Sequence, residues 1–167
     1  MSELRHSYIT GTGVFLPGPP VGNDAMEDHL GRIGGRDSLF GKKALRWNGV
    51  ESRHYALAPD GSVSHSNAAM CAAAVRQALD GAGRGRGELG FLAAAATQGD
   101  LLVPGHAASV HAELGAGALE IASFQSVCCS SLMAAKAAWL QVAAGEHEVA
   151  AACAGEFSSR WFRPSFY

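Results

Sequence analysis

The stretch Ser130–Ala144, SSLMAAKAAWLQVAA, has helical length and almost nothing polar to show to water: beyond its leading serines, only Lys136 and Gln141 interrupt it. A helix without a polar face is central and buried. It stands between two short apolar runs, LEIASFQSV (Leu119–Val127) and EVAAACAGE (Glu148–Glu156), with Gly145 closing the helix before the second. Both runs have strand length. Two strands joined through a helix run parallel. This one segment therefore commits the chain to a layered α/β structure rather than a helical bundle or an all-β sandwich.

The same rhythm continues upstream. LGFLAAAAT (Leu89–Thr97) reads as a buried strand, and PGHAASVHAELG (Pro104–Gly115) as a helix with Pro near its start and Gly past its end. A helix capped by Ser64 or Ser66 runs to about Leu79, with Ala69, Met70, Ala73 and Ala74 at helical spacing, and GAGRGRG (Gly81–Gly87) stops it. YITGTGVFL (Tyr8–Leu16) reads as an opening strand that ends at Pro17-Gly18-Pro19-Pro20. Asn23-Asp24 can cap a short helix over Ala25–Ile33. Gly34, Gly35 and Gly41 predict a loop, and Asn48-Gly49 a turn before a short strand.

Length and charge narrow the function classes. The 167 residues have room for one domain with one core. A net charge of -2 and the absence of any Lys/Arg run exclude a strongly basic nucleic-acid binder. Polar or charged residues interrupt each apolar stretch, which argues against a membrane span. MSELRHSYIT lacks the plan of a signal peptide, so a cytoplasmic protein with reduced thiols is expected. Cys71, Cys128, Cys129 and Cys153 form no CxxC pair, and no metal site is expected. Cys128 and Cys129 are not expected to bond each other, because a vicinal disulfide strains the intervening peptide. The Gly11–Gly13 GTG is no dinucleotide fingerprint, since Leu16 occupies the position of the required third glycine. No cofactor is implied.

The thiols at the mouth of the apolar helix are the chemical feature. A strand feeds Cys128 into a helix start, where backbone N–H groups lack internal partners and the dipole favours negative charge. A thiol held there favours its nucleophilic thiolate. A buried helix behind it predicts a nucleophile at the bottom of a pocket. Small residues around the turn let amides approach a ligand oxygen, which suits acyl transfer through an oxyanion. Cys71 and Cys153, in alanine-rich surroundings, read as small core residues.

SVCCSSLMAAKAA after LEIASF resembles the nucleophile segment of thiolase-superfamily ketosynthases, in particular the β-ketoacyl-[acyl carrier protein] synthase III type. On the Val-Cys-x-Ser-small-x-x-Ala-x-Lys pattern the nucleophile is Cys128, with Cys129 its variable neighbour. The modular polyketide synthase pattern Ala-Cys-Ser-Ser-Ser-Leu gives the same register, with its Leu on Leu132. Sliding the frame by one to favour Cys129 matches only a Cys-small-small-aromatic variant and is the weaker alignment. YITGTGVFLP, NGVESRHYAL, AATQGDLLVPGHAASVHAELG and AGEFSSR resemble further segments of these enzymes in the same order, so the resemblance runs from about Tyr8 to Tyr167.

The resemblance implies a thiolase-like layered fold, with a mixed sheet and a central buried helix, and with residues 1–167 as the first of two α/β halves. It implies that the His and Asn that work with the cysteine come from a second half. None of His6, His29, His54, His65, His106, His111 and His147 matches a catalytic position of the family. The chain is then expected to act as part of a homodimer of complete two-half units, joined to a C-terminal half or a complementary subunit. Val103, just before Pro104, takes the place of the residue that closes the partner's acyl pocket. Arg46 and Trp47 lie near, though not on, the positions that hold adenine in enzymes using acyl-coenzyme A. The donor is accordingly either acyl-coenzyme A or an acyl carrier protein. The implied activity is decarboxylative condensation in fatty-acid or polyketide-type biosynthesis. The alternatives are acyl transfer to an oxygen or nitrogen nucleophile, and a non-catalytic partner subunit.

Overall fold

A computed structural model describes residues 4–163, so the aromatic pair Phe166 and Tyr167 lies outside the described residues. The described residues divide into two compact units: residues 4–15 with 67–156, and residues 16–66 with 157–163.

The smaller unit contains a two-residue ribbon in which β1 (Val21–Gly22) pairs antiparallel with β2 (Ser52–Arg53). Between them lie the short helix α1 (Met26–Leu30) and the helix α2 (Leu39–Asn48). The expected helix over 25–33 is thus shorter, and no side chain caps α1. The expected loop at Gly41 is instead the first turn of α2. Ser38 starts this helix, its side-chain oxygen accepting from the Gly41 amide at 3.0 Å, and Gly49 ends it in a left-handed conformation. The expected turn at Asn48-Gly49 is thus the stop of α2, and the short strand β2 follows it as expected.

The larger unit contains α3 (Asn67–Gly81), β3 (Phe91–Ala95), α4 (His106–Leu114), β4 (Glu120–Phe124), α5 (Ser130–Ala144) and β5 (Ala150–Ala154). The strands form one sheet in the order β4-β3-β5, parallel throughout, with Ala93 opposite both Ala122 and Ala152. Parallel and antiparallel pairing thus both occur, but in separate sheets. β3 is buried along its whole length, and its side chains alternate between two cores. Leu92 and Ala94 join α3 and α4 residues such as Val75, Leu79, Val110 and Leu114. Phe91, Ala93 and Ala95 meet Ala134 and Ala138 of α5 on the other face. Alanine at these crossings lets a helix lie close to the strands. The result is a three-layer α/β/α unit with β3 at its centre.

Two expectations change here. Tyr8–Leu16 forms no strand: the segment lies along α3, where a Cβ on Gly11 would sit 2.1 Å from the Ala78 carbonyl oxygen and one on Gly13 2.0 Å from that of Ala74. The glycines serve close approach to a helix backbone, and the Val14 amide donates to the Gln77 side chain rather than to a ladder. The exclusion of a spanning segment also fails on length and composition, because Val127–Ala144 is long and apolar enough to pass as one. Its alanine face against β3 and β5 is the packing of a sheet-covering helix.

Candidate active site

In a parallel sheet all strands deliver their carboxyl ends to one edge, and the loops leaving that edge are neighbours. Three such loops meet here: residues 96–105 after β3, residues 125–129 after β4, and the segment beginning at Gly155 after β5. Their roots are tied together. The Ala96 amide donates to the Phe124 carbonyl at 3.2 Å, and the Gly155 amide to that of Ala95 at 3.1 Å.

Cys128 lies in the loop after β4, within a single 3-10 turn, Val127–Cys129, that runs directly into α5. Val127 enters this turn at φ 48°, a left-handed value costly for a β-branched residue. Ser130, buried at the first residue of α5, donates its hydroxyl to the Val127 carbonyl at 2.7 Å and so holds the turn against the helix. The turn thus presents Cys128 at the helix entrance, as the sequence predicts. The thiol is exposed, however, and not at the bottom of a pocket; Cys129 is exposed as well. The physical reason lies in α5. Its alanine face covers the sheet, while its other faces carry large side chains that the described residues leave open: Leu132 is 73% and Trp139 47% exposed. A pocket floor needs a second layer of structure there.

Val103 occupies the loop after β3, at the same edge of the sheet as Cys128. The segment carries three exposed apolar residues in succession, with Leu102 98% and Val103 80% exposed. Its far end is anchored, because the Ala107 amide at the start of α4 donates to Ser123 Oγ of β4 at 2.9 Å. Arg46 and Trp47 belong to the other compact unit, in the last turn of α2. Both are exposed, and the Lys43 ammonium lies 5.0 Å from the Trp47 ring centre in a cation–π contact within α2.

Sequence reading passed over the residues that brace this edge. Asn67, wholly buried at the start of α3, donates its side-chain amide to the Gly155 carbonyl at 3.0 Å and to that of Gln98 at 3.4 Å. One side chain thereby joins the loops after β3 and β5. Asp100 caps α3 from the loop after β3, accepting from the Asn67 and Ala68 amides at 2.9 and 2.8 Å. That remote carboxylate does the work expected of Ser64 or Ser66. Glu156 accepts from both the amide and the hydroxyl of Thr97, at 2.6 and 2.7 Å. An Asn directly before an apolar helical run is a cap signal, but its reach to two loops has no sequence signature. Among the described residues no group of three or more His, Cys, Asp or Glu side chains is placed to hold a metal ion.

No protein-family model matches the chain. It is 32% identical over 130 residues to a β-ketoacyl-[acyl-carrier-protein] synthase III of Hyphomonas neptunium, a match covering 78% of this chain and 36% of that protein. Among solved structures it resembles a tetronic acid condensing enzyme, with a TM-score of 0.77 and 26% identity over 91% of this chain and 46% of the other. A 3-oxoacyl-[acyl-carrier-protein] synthase III of Aquifex aeolicus superposes with a TM-score of 0.72 at 19% identity, covering 95% of this chain and 48% of that one. The chain thus spans less than half the length of each of these relatives.

Proposed function

We propose that this chain, a homologue of β-ketoacyl-[acyl-carrier-protein] synthase III with a thiolase-like ketosynthase fold, carries the nucleophilic half of an acyl-condensing active site, with Cys128 as the nucleophile. The observation that carries the reading is the Cys128 turn: an exposed thiol at the carboxyl edge of a parallel sheet, held at the entrance of the sheet-covering helix.

The chemistry follows from that placement. The Cys128 sulfur attacks the carbonyl of an acyl thioester, and the donor thiol leaves with the proton, giving an acyl-Cys128 thioester. A second acyl thioester, decarboxylating if it is a malonyl unit, supplies the carbon nucleophile that attacks this acyl group. A new carbon–carbon bond forms and the Cys128 thiol is released. The second step needs an acid–base group and oxyanion donors facing the sulfur. We assign these to a second α/β half, which covers the open faces of α5 around Leu132, Met133, Trp139 and Leu140. Val103, projecting from the adjoining loop, is assigned to closing an acyl pocket across a homodimer interface. Arg46 and Trp47 are assigned to the donor's carrier group, either coenzyme A or an acyl carrier protein.

Incubating the chain with acetyl-coenzyme A or an acyl carrier protein thioester, followed by peptide mapping, tests this reading. Acylation confined to Cys128 is the expected result. Acyl label on Cys129 with Cys128 unmodified refutes the assignment, and no label from either donor refutes the acyl-transfer reading.

A further inference from the structure

Four of the residues beneath the loop edge form a second thiol cluster that the acyl chemistry leaves unused. Cys71 of α3 is 2% exposed, and its sulfur lies 3.7 Å from His106 Nε2 and 4.0 Å from Asn67 Oδ1. Cys153 of β5, partly exposed, packs against the same core cluster that holds Cys71, close enough for the two thiols to influence each other. His106 is 3% exposed, and its Nδ1 is buried without a hydrogen-bond partner. A buried imidazole with an idle nitrogen is costly in a core that an apolar side chain could fill. A thiol against such a base, with a second thiol packed on the same core, goes beyond the reading of Cys71 and Cys153 as inert packing.

We propose that Cys71 and Cys153 are a redox-active pair that closes to a disulfide under hydrogen peroxide, with His106 taking up and returning the proton. This goes beyond the acyl-transfer reading and does not depend on it. The electrostatics agree with the geometry. Interaction with Cys153 holds the Cys71 thiol down at about 6, against the opposing effect of burial and with help from His106, while Asp100 acts weakly the other way. The same interaction with Cys71, together with burial, pushes the Cys153 thiol up. The pair therefore divides its roles, with Cys71 as the thiolate and Cys153 as the thiol that keeps its proton.

The steps balance. The Cys71 thiolate attacks one peroxide oxygen and the O–O bond breaks. Cys71 becomes a sulfenic acid, and the departing hydroxide leaves as water with the proton held by His106. The Cys153 sulfur then attacks the Cys71 sulfur, its own proton passing to the hydroxyl that departs as the second water. Two thiols are oxidised to one disulfide and one peroxide is reduced to two waters. The bond would join α3 to β5 directly below Asn67, the side chain that ties the loops after β3 and β5 together. Thiol reductants reverse it by exchange.

The test is peroxide titration of the full chain near neutral pH, alkylation of remaining thiols under denaturing conditions, and peptide mapping. Cys128→Ser and Cys129→Ser are combined in one variant so that the exposed thiols do not obscure the result. The expected product is a Cys71–Cys153 linked peptide, two hydrogens lighter than the reduced pair and lost on reduction. In His106→Gln the linked peptide forms roughly tenfold more slowly, because the thiolate fraction falls. Recovery of both Cys71 and Cys153 as alkylated free thiols, under conditions that oxidise Cys128 in the wild-type chain, overturns the proposal, and that mapping needs no variant to fold. Cross-linking at the wild-type rate in His106→Gln overturns the role of the histidine. Neither result bears on acylation of Cys128, which is read in a separate assay.

Discussion

Gly155→Ala is the sharpest single test of how the loop edge is built. An added Cβ would fall 2.4 Å from Asn67 Oδ1 and 2.5 Å from Cys71 Sγ, where ordinary contact begins at 3.4 Å. Neither neighbour has room to retreat, since Asn67 is wholly buried and Cys71 2% exposed. Overpacking of this kind costs about 1–3 kcal/mol. Displacing Asn67 also loosens its bond to the Gly155 carbonyl, which is worth about 1 kcal/mol. Against this, Gly→Ala stabilises by about 0.4–1 kcal/mol through the unfolded chain. The net loss is about 1–3 kcal/mol; at a urea dependence of about 2 kcal/mol per molar, the midpoint falls by about 0.5–1.5 M. Urea unfolding followed by circular dichroism measures it. Gly117→Ala is the control within the same unit, because a Cβ there meets nothing within 4 Å, and its midpoint should hold or rise slightly. If Gly155→Ala and Gly117→Ala behave alike, the packing of Asn67 and Cys71 against β5 is not as argued here.

Cys128→Ala should abolish acylation of the chain while Cys129→Ser retains most of it, as read by the mass of the acyl adduct; equal losses would break the register. Val103→Phe should shift acyl preference towards short chains, because a larger side chain shortens the pocket it closes; an unchanged chain-length profile removes Val103 from the pocket. Residues 1–167 expressed alone should take an acyl group onto Cys128 yet fail to condense it with a second acyl thioester; condensation product from this chain alone refutes the need for a second half.

Much of the layered unit was legible because its signals are local. The strands around Ala93, Ala122 and Ala152 and the helix stops at Gly115 and Gly145 follow from apolar runs and glycines placed just past them. What failed depended on partners distant in the chain. Tyr8–Leu16 has strand composition, yet its glycines are spent on contact with α3 carbonyls. Gly41 reads as loop, yet the Ser38 cap recruits it into α2. The position of Cys128 was legible, since a strand running into an apolar helix fixes a turn between them. The bracing by Asn67, Asp100 and Glu156 was not, because single polar residues carry no mark of the loops they reach.

The same logic separates what α5 says in sequence from what it does in the fold. An all-apolar helix announces covering on several sides, and the sheet supplies only one: Ala134 and Ala138 meet β3, while Leu132, Met133, Trp139 and Leu140 remain open. Burying a large apolar side chain is worth about 1.5–3 kcal/mol. Four such residues, each roughly half open, leave about 3–6 kcal/mol unrealised, comparable with the whole stability of a small domain. Alanines against the sheet and large side chains away from it are the arrangement of a helix sandwiched between two layers. The thiol at its entrance is exposed together with these side chains, and on the proposed reading both face the second α/β half.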